Sequence, residues 1–386
     1  MREAGIRVGI AGCGRIGWAH ALGWSADPRC RLVAVADPRA AARDEVGELY
    51  GVPPEGRYSS YQEMLEGEEL DVFSNCLWAA DHLTATLAAI GAGARLVLCE
   101  KPLADDLGEA RAMLDAAAAA EVKLAVGHQR RHYPGWDEAA KALAEGRIGR
   151  PLHAWTSVVG GLMSNGTHAI DMVRYLLGDP PVTEALGAVE RRTDRYERGV
   201  AAEDRSLAML VLGGELRLFL DGDSGLDAKI TANATIHGEE GLLEVVEGEA
   251  RLLTDAGWER LEVPPPGLRA DDPRVAGALA QVGGYMPERF HLPFIATFVD
   301  QARNLLDWLL EGGDYRGDAA AGYASLEAVC AVYESVRRRA AVPLPLATRA
   351  HPLGLLIAEE RLPVEFPGPY DTRDPRAFAR SGEGDR

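Results

Sequence analysis

The sequence predicts an α/β protein in two parts, a parallel sheet with crossover helices followed by a region of antiparallel sheet and long helices. Three observations carry this expectation. Residues 6–17 read IRVGIAGCGRIG, an apolar strand running into Gly12-x-Gly14-x-x-Gly17. Strand-like and helix-like runs then alternate through the first third of the chain, the pattern of strands joined by crossover helices. After about residue 128, several strand-like runs follow one another, the later ones joined by short turns containing Gly, as antiparallel strands are.

The opening element sets a ligand class. The first glycine permits a tight turn, the second lets a backbone approach a pyrophosphate, and the third lets helix and strand pack closely. The helix that starts inside the motif, at Arg15 and Ile16, offers free N–H groups and a partial positive charge to an anion. The motif after a strand at the chain start points to a dinucleotide; the same turn without a ligand is the plainer alternative. The next strand, RLVAVAD (31–37), ends at Asp37, 25 residues after Gly12. An acidic residue there hydrogen-bonds adenosine ribose hydroxyls and repels a 2′-phosphate, which favours NAD over NADP. Arg39 keeps NADP open, because a guanidinium two residues on can receive that phosphate. Asp37-Pro38 is also ordinary turn chemistry.

The strands DVFSNCLW (71–78), RLVLCE (95–100) and KLAVGH (123–128) complete the parallel set, with an alanine-rich crossover helix at Glu109–Glu121. Ligands of open α/β sheets sit outside the carboxyl ends of the strands. Glu100-Lys101-Pro102 closes one strand at that rim, where a lysine can hold a substrate hydroxyl and stabilise negative charge developing on its oxygen. Gly127-His128-Gln129-Arg130-Arg131 closes the next, and Gln129 is within reach of a ligand there. A solvated lysine and a polar linker explain the same residues, and local sequence does not separate these readings.

In the second part, a helix-like stretch at 137–145 precedes the strand-like runs LHAWTSVVG, SLAMLVLG, LRLFLDG, KITANATIHG (from Lys229) and LLEVVEG. The segment GGLMSNGTHAID (160–171) opens a helix continuing MVRYLLG, with His168 and Asp171 on one face. Histidine titrates near neutrality and is the commonest general base; a neighbouring carboxylate orients its ring. A helix N-terminal histidine making local hydrogen bonds is the competing reading. Residues 262–290, with Pro264-Pro265-Pro266 and Gly283-Gly284, read as an extended loop, followed by helices near 292–311 and 318–338. From Pro343 prolines recur and periodicity fades, giving a tail or an arm on another subunit.

Composition bounds the partners. The 386 residues carry a net charge of −18, which argues against nucleic acid and anionic membrane. Only four of the 41 basic residues are lysines (Lys101, Lys123, Lys141, Lys229), so a lysine at a strand rim stands out from the background. Five scattered cysteines without C-x-x-C spacing argue against a disulfide scaffold or zinc cluster, and the histidines show no metal-ligand spacing. No signal peptide precedes the first strand and no apolar run approaches ~18 residues, so a soluble protein of a reducing cytoplasm is expected.

Taken together, AGCGRIG, VAVADP, the strand leading to Asp81-His82, EKPLA, VGHQRR with Pro134, GG…GTHAIDMVRYLLG, IHGEEGLLEV and AVYESVRRRAAVPLPL resemble the glucose–fructose oxidoreductase, inositol dehydrogenase and rhizopine catabolism (Gfo/Idh/MocA) family over roughly residues 6–346. The resemblance implies a Rossmann NAD(P)-binding domain (1–127), a substrate-binding and oligomerisation α/β domain with a large, mostly antiparallel, open-faced sheet (128–346), and a C-terminal tail (347–386). It implies an NAD(P)-dependent oxidation of a sugar or cyclitol hydroxyl in a homodimer or homotetramer. By resemblance, Gly12, Gly14, Arg15, Ile16, Gly17, Asp37, Arg39, His82, Glu100, Lys101 and Gln129 serve the cofactor. Lys101, His168 and Asp171 serve catalysis, and Arg131, Ser164, Asn165 and His168 meet the substrate. No metal is implied. Two departures stand out. Many polyol-oxidising members carry Asp where Ser164 stands, and Trp155 lies only five residues ahead of Gly160, where members often have a longer segment. Inositol specificity therefore does not transfer. Two other functions stay open: an NAD-retaining redox elimination of a glycosidic bond, and a non-catalytic cofactor-binding regulator.

Overall fold

The computed structural model describes residues 5–223, 232–282 and 288–371. It divides into two compact units: residues 1–103, 111–137 and 262–322 form one, and 104–110, 138–261 and 323–386 the other. The units are interleaved rather than consecutive.

The first unit holds the strands β1 (Ile6–Ala11), β2 (Cys30–Ala36), β3 (Arg57–Tyr58), β4 (Val72–Asn75), β5 (Leu96–Cys99) and β6 (Lys123–Val126). They form one sheet in the order β3-β2-β1-β4-β5-β6, and every pairing is parallel. A parallel sheet covered by helices on both faces needs strands that are apolar throughout rather than alternating. The sequence obeys this, since all four residues of β4 and of β5 are buried. The helices α1 (Arg15–Ser25), α2 (Ala40–Tyr50), α3 (Tyr61–Gly67) and α4 (Ala79–Gly91) connect the strands up to β5, and α5 (Leu107–Ala119) lies between β5 and β6. α6 (Pro134–Ala144) follows β6.

The second unit holds α7 (Thr167–Leu176) and a nine-stranded mixed sheet. Its strands are β7 (Pro151–Val158), β8 (Val182–Glu190), β11 (Arg205–Leu212), β12 (Leu216–Gly222), β13 (Asn233–Gly238), β14 (Leu242–Val246), β15 (Glu249–Thr254), β16 (Gly257–Arg260) and β17 (Val342–Pro343). The order is β16-β15-β14-β13-β7-β12-β11-β8-β17. Every pair is antiparallel except β7–β12, which is parallel. The strands alternate as a one-sided sheet demands. Ala154, Thr156 and Val158 of β7, with Leu218 and Leu220 of β12, are buried, while Trp155 between them is 48% exposed. α10 (Ala319–Arg338) covers part of the buried face: its Ser335 hydroxyl accepts from the Gly187 amide of β8. The strand expected from Lys229 starts at Asn233, and residues 229–231 lie outside the described residues.

Several elements differ from the sequence expectation. Within the stretch read as an extended loop, α8 (Pro273–Val282) forms, burying Val275, Ala278 and Val282 along one stripe; Gly283-Gly284 lies outside the described residues. Next comes α9 (His291–Glu311), whose Phe294, Ile295, Phe298, Val299, Ala302, Leu305 and Leu306 recur at helical spacing and are buried. Both helices pack on α1, which places 262–322 in the first unit. Residues read as a tail or an arm on another subunit fold onto their own chain. α11 (Pro352–Ala358) is capped by His351, and β18 (Phe366–Asp371) pairs parallel with β9 (Thr193–Glu197). β9 and β10 (Val200–Ala201) complete a separate three-stranded sheet in the order β10-β9-β18. Residues 372–386 of the tail lie outside the described residues.

Candidate active site

Each glycine of the first turn meets a different demand. Gly12 has φ +95°, and a Cβ there would stand 2.6 Å from the Cys76 carbonyl oxygen. A Cβ on Gly17 would lie 2.0 Å from the Gly12 carbonyl oxygen. Side chains at these two positions would break the turn. At Gly14 the Cβ position has nothing within 4 Å. That open cradle lies at the N-cap of α1, which has no side-chain cap, and a helix N-terminus presents N–H groups suited to an anion. Arg15 is exposed and Ile16 half-buried in the first turn of α1. These residues fit the pyrophosphate of a dinucleotide. Asp37, 5% exposed, accepts from the Cys13 amide at 2.9 Å, so the carboxylate braces the glycine turn from inside. It also accepts from the Arg39 amide and guanidinium, at 2.9 and 3.1 Å.

Lys101 leaves β5 at the carboxyl edge of the same sheet, and its neighbours are locked in place. The buried Glu100 carboxylate lies 3.0 Å from His20 Nε2 of α1 and accepts from the Lys101 amide at 3.2 Å. Burial pushes the Glu100 carboxyl up. The hydrogen bond and charge of His20, then Lys101, outweigh it, and Glu100 is held below the usual range. The other His20 nitrogen stands 2.7 Å from Ser74 Oγ, which also receives the Trp24 indole N–H. His82 is 1% exposed; Nδ1 lies 2.9 Å from the Pro102 carbonyl and Nε2 3.1 Å from that of Leu77. Its ring therefore ties the loop after β4 to the loop that carries Lys101. Burial drives its pKa down against the pull of these carbonyls.

After β6, Gln129–His132 form a short 3-10 turn. Gln129 is 4% exposed, and its buried Oε1 finds no hydrogen-bond partner among the described residues. Such an orphan acceptor is rare and suits a ligand amide. Arg131 is buried and donates to the Arg316 carbonyl.

In the second unit, Gly160 and Gly161 lead into a π-helical turn, Leu162–Gly166, that runs directly into α7. π-turns are frequent at functional sites. Ser164 and Asn165 lie on this turn, and His168 is the second residue of α7. All four polar candidates are enclosed: Ser164 is 7% exposed, Asn165 8%, His168 2% and Asp171 0%. The Ser164 hydroxyl donates to Glu197 at 2.6 Å, and the Asn165 amide donates to the Val159 carbonyl. Asp171 accepts from the Ser325 hydroxyl of α10 at 3.2 Å, and Ser325 accepts from Arg174 at 3.2 Å.

The first unit thus gathers the glycine turn, Asp37, Arg39, Glu100, Lys101 and Gln129 along one sheet edge, with His82 and Arg131 packed behind it. The second gathers Ser164, Asn165, His168 and Asp171 on one turn and helix. Sequence reasoning missed the residues that hold these groups: His20 and Ser74 in one unit, Glu197, Glu203 and Asp223 in the other. Only His20, three residues after Gly17, carries any local signal.

This geometry defines a class, a Rossmann-type parallel sheet with a second α/β domain. Residues 6–128 match the oxidoreductase family's NAD-binding Rossmann fold, and residues 141–344 match its C-terminal alpha/beta domain. The chain belongs to the Gfo/Idh/MocA oxidoreductase family. It is 31% identical over 192 residues to an inositol 2-dehydrogenase of Rhizobium meliloti, covering 46% of this chain and 57% of that one, little more than half of the relative's length. It is 25% identical to inositol 2-dehydrogenase 3 of Saccharopolyspora erythraea over 89% of this chain and 97% of the relative. The fold is similar to that of the WlbA dehydrogenase from Bordetella pertussis, solved in complex with NADH and UDP-GlcNAcA, with a TM-score of 0.69, 23% identity, and coverage of 90% of this chain and 99% of that one.

Proposed function

We propose that the protein is an NAD-dependent dehydrogenase or ketoreductase acting on a hydroxyl or keto carbon of a sugar, sugar derivative or cyclitol. The observation that carries this reading is Lys101, which leaves its strand at the sheet edge bearing the glycine turn and has its backbone fixed by Glu100. When bound, the nicotinamide supplies the hydride acceptor. Gly12, Gly14 and the Arg15 and Ile16 end of α1 hold the pyrophosphate, Asp37 binds the adenosine ribose, and Gln129 meets the nicotinamide end. His82 and Glu100 serve the cofactor through the loops they hold.

Lys101 stabilises negative charge on the reacting oxygen, a contribution that positioned charged donors make to transition states. His168 takes the hydroxyl proton, and Asp171, fixed by Ser325, holds the helix face on which His168 sits. Arg131 of the first unit, and Ser164 and Asn165 of the second, are the substrate-binding residues of this reading. The reading is supported by the family's domain matches and by relatives named as inositol 2-dehydrogenases. No helix among the described residues is long and apolar enough to cross a membrane.

The partner of the exposed sheet face is a second copy of this chain. Leu186, Met209, Phe219 and Trp155 stand side by side across β8, β11, β12 and β7, a continuous apolar row on the face away from the helices. Leu207 beside it is 60% exposed. Contiguous apolar patches of this kind mark interfaces.

The test is a reduced-cofactor fluorescence screen against sugars, sugar acids and inositols, paired with product analysis. The expected result is NADH formation with at least one polyol. Lys101→Met cuts hydride transfer by roughly 10²–10³-fold while NAD binding stays near wild type. Full turnover in that variant overturns the assignment. Sugar release without net NADH formation places the protein among redox-elimination enzymes instead.

A further inference from the structure

The segment before His168 is held in an unusual way. Gly160 and Gly161 have φ of +91° and +84°, and Gly161, the N-cap of the π-turn, has no side chain with which to cap it. The orphan N–H groups of such a start are ordinarily met by a local Ser, Thr, Asp or Asn. Here carboxylates from 41 to 63 residues away do so. Asp223 accepts from the Gly160 amide at 2.8 Å through one oxygen and from the Gly161 amide at 3.1 Å through the other. Glu203 accepts from the Leu162 amide at 2.7 Å. Glu197 accepts from the Ser164 hydroxyl at 2.6 Å. Glu197 is 6% exposed and Glu203 1%.

Burying carboxylates is costly unless each is hydrogen-bonded or paired. The chain meets that demand with further long-range partners. Arg195 lies 3.3 Å from Asp223, and the Tyr333 hydroxyl of α10 donates to the second Glu203 oxygen at 2.5 Å. A turn that needed only to be stable would not require two buried acids and a third that is part-buried. Their combined effect is to fix residues 160, 161, 162 and 164 individually, immediately ahead of the histidine.

We propose that Glu197, Glu203 and Asp223 are positioning residues for His168: they lock the Gly160–Gly166 turn from which the histidine helix starts, Glu197 acting through Ser164. This rests on the reading of His168 as the proton acceptor. The three acids touch the turn rather than the reacting atoms, so they set where the imidazole stands and leave its chemistry alone.

Amide hydrogen exchange of the full-length protein, without substrate, tests the lock directly. In Glu197→Ala, exchange across 161–168 rises about tenfold, the scale set by losing one hydrogen bond to a charged group. Glu197→Gln still offers an oxygen to the Ser164 hydroxyl and keeps wild-type exchange. With any substrate the enzyme turns over, Glu197→Ala lowers kcat by about tenfold with the KM for NAD unchanged, and the Gln variant restores kcat. Unchanged exchange in Glu197→Ala, or a Gln variant as impaired as Ala, overturns the proposal. Should Glu197→Ala fail to fold, Asp223→Asn retains one of the two backbone acceptors and serves instead. Faster exchange confined to 160–162 supports the lock, and unchanged exchange overturns it. Full turnover in His168→Asn refutes the proton-acceptor reading alone, because the exchange result does not depend on it.

Discussion

His20 and Glu100 are joined across the first unit, Nε2 to Oε1 at 3.0 Å, by a contact between residues 80 positions apart in the sequence. His20 lies on the helix that starts at the glycine turn, and Glu100 precedes the lysine at the sheet rim. The pair therefore couples the backbone of the dinucleotide site to the backbone of Lys101. His20→Ala leaves Glu100 buried without its main partner and should cost about 2–3 kcal/mol, read as a fall in melting temperature. NAD affinity should weaken with it. An unchanged melting temperature would contradict the coupling.

The same pair makes stability depend on pH. A carboxyl held below its ordinary range contributes stability above its unfolded pKa, about 4.3 for Glu, and loses it as pH falls through the folded value. Melting curves taken from pH ~5 down to well below pH ~4 should therefore lose stability on the acid side. Glu100→Gln should remove part of that loss while lowering stability at neutral pH. Parallel acid limbs in variant and wild type would show that Glu100 does not contribute.

His351 provides a second, separable acid limb. Its Nδ1 accepts from the Gly354 amide at 3.1 Å, capping α11, and a nitrogen in that role cannot carry a proton. Burial pushes the ring down to about 4, against the opposing pull of Asp106. The unfolded chain binds a proton near the ordinary value of 6.5 while the folded one does not, so stability falls as pH drops from about 6.5 to 4. His351→Asn keeps a capping oxygen and does not titrate. Its stability should be flatter across that window; an unaltered slope would rule out the His351 contribution.

Cofactor choice should turn on Asp37 and Arg39. The carboxylate engages the guanidinium at 3.1 Å. Asp37→Ser removes the repulsion of a 2′-phosphate and frees Arg39 to receive one, so the ratio of NADP to NAD affinity should rise by about tenfold or more. Fluorescence titration with the two reduced cofactors measures it. Unchanged preference would mean that another group reads the ribose.

The apolar row on the open sheet face predicts its own disruption. Trp155 is 48% exposed and stacks on Phe219 with ring centroids 4.6 Å apart. Trp155→Lys places a charge in the middle of the row without touching the buried face. Native mass or light scattering should show the assembly dissociating while the fold is kept. A wild-type protein that is already monomeric would dismiss the interface.

The parallel sheet was legible because its strands are apolar throughout and end in distinctive residues: Gly12 after β1, Asp37 after β2, Lys101 after β5. The histidine segment was legible from its glycine pair and the 168/171 spacing. Elements whose signal is tertiary escaped. β8 reads VTEALGAVE, where Thr183, Glu184 and Gly187 dilute the alternation and pairing with β11 decides the structure. α8 hid behind three prolines, and its apolar stripe gains meaning only against α1. The parallel β7–β12 pair is invisible to any rule based on short turns. The acids that grip the histidine turn lie in unremarkable polar stretches, because a side chain chosen for a partner 41 residues away leaves no periodicity behind.

The interleaving of the two units bears on how such a chain can be recombined. The backbone passes from one unit to the other at 103/104, 110/111, 137/138, 261/262 and 322/323. No single scissile point yields two self-sufficient fragments. A chimera that swaps the first 128 residues for a homologue's would import a foreign α1 while retaining the native α8 and α9 that pack on it. Exchanging specificity by domain shuffling therefore requires residues 262–322 to travel with the nucleotide half, as one heritable block.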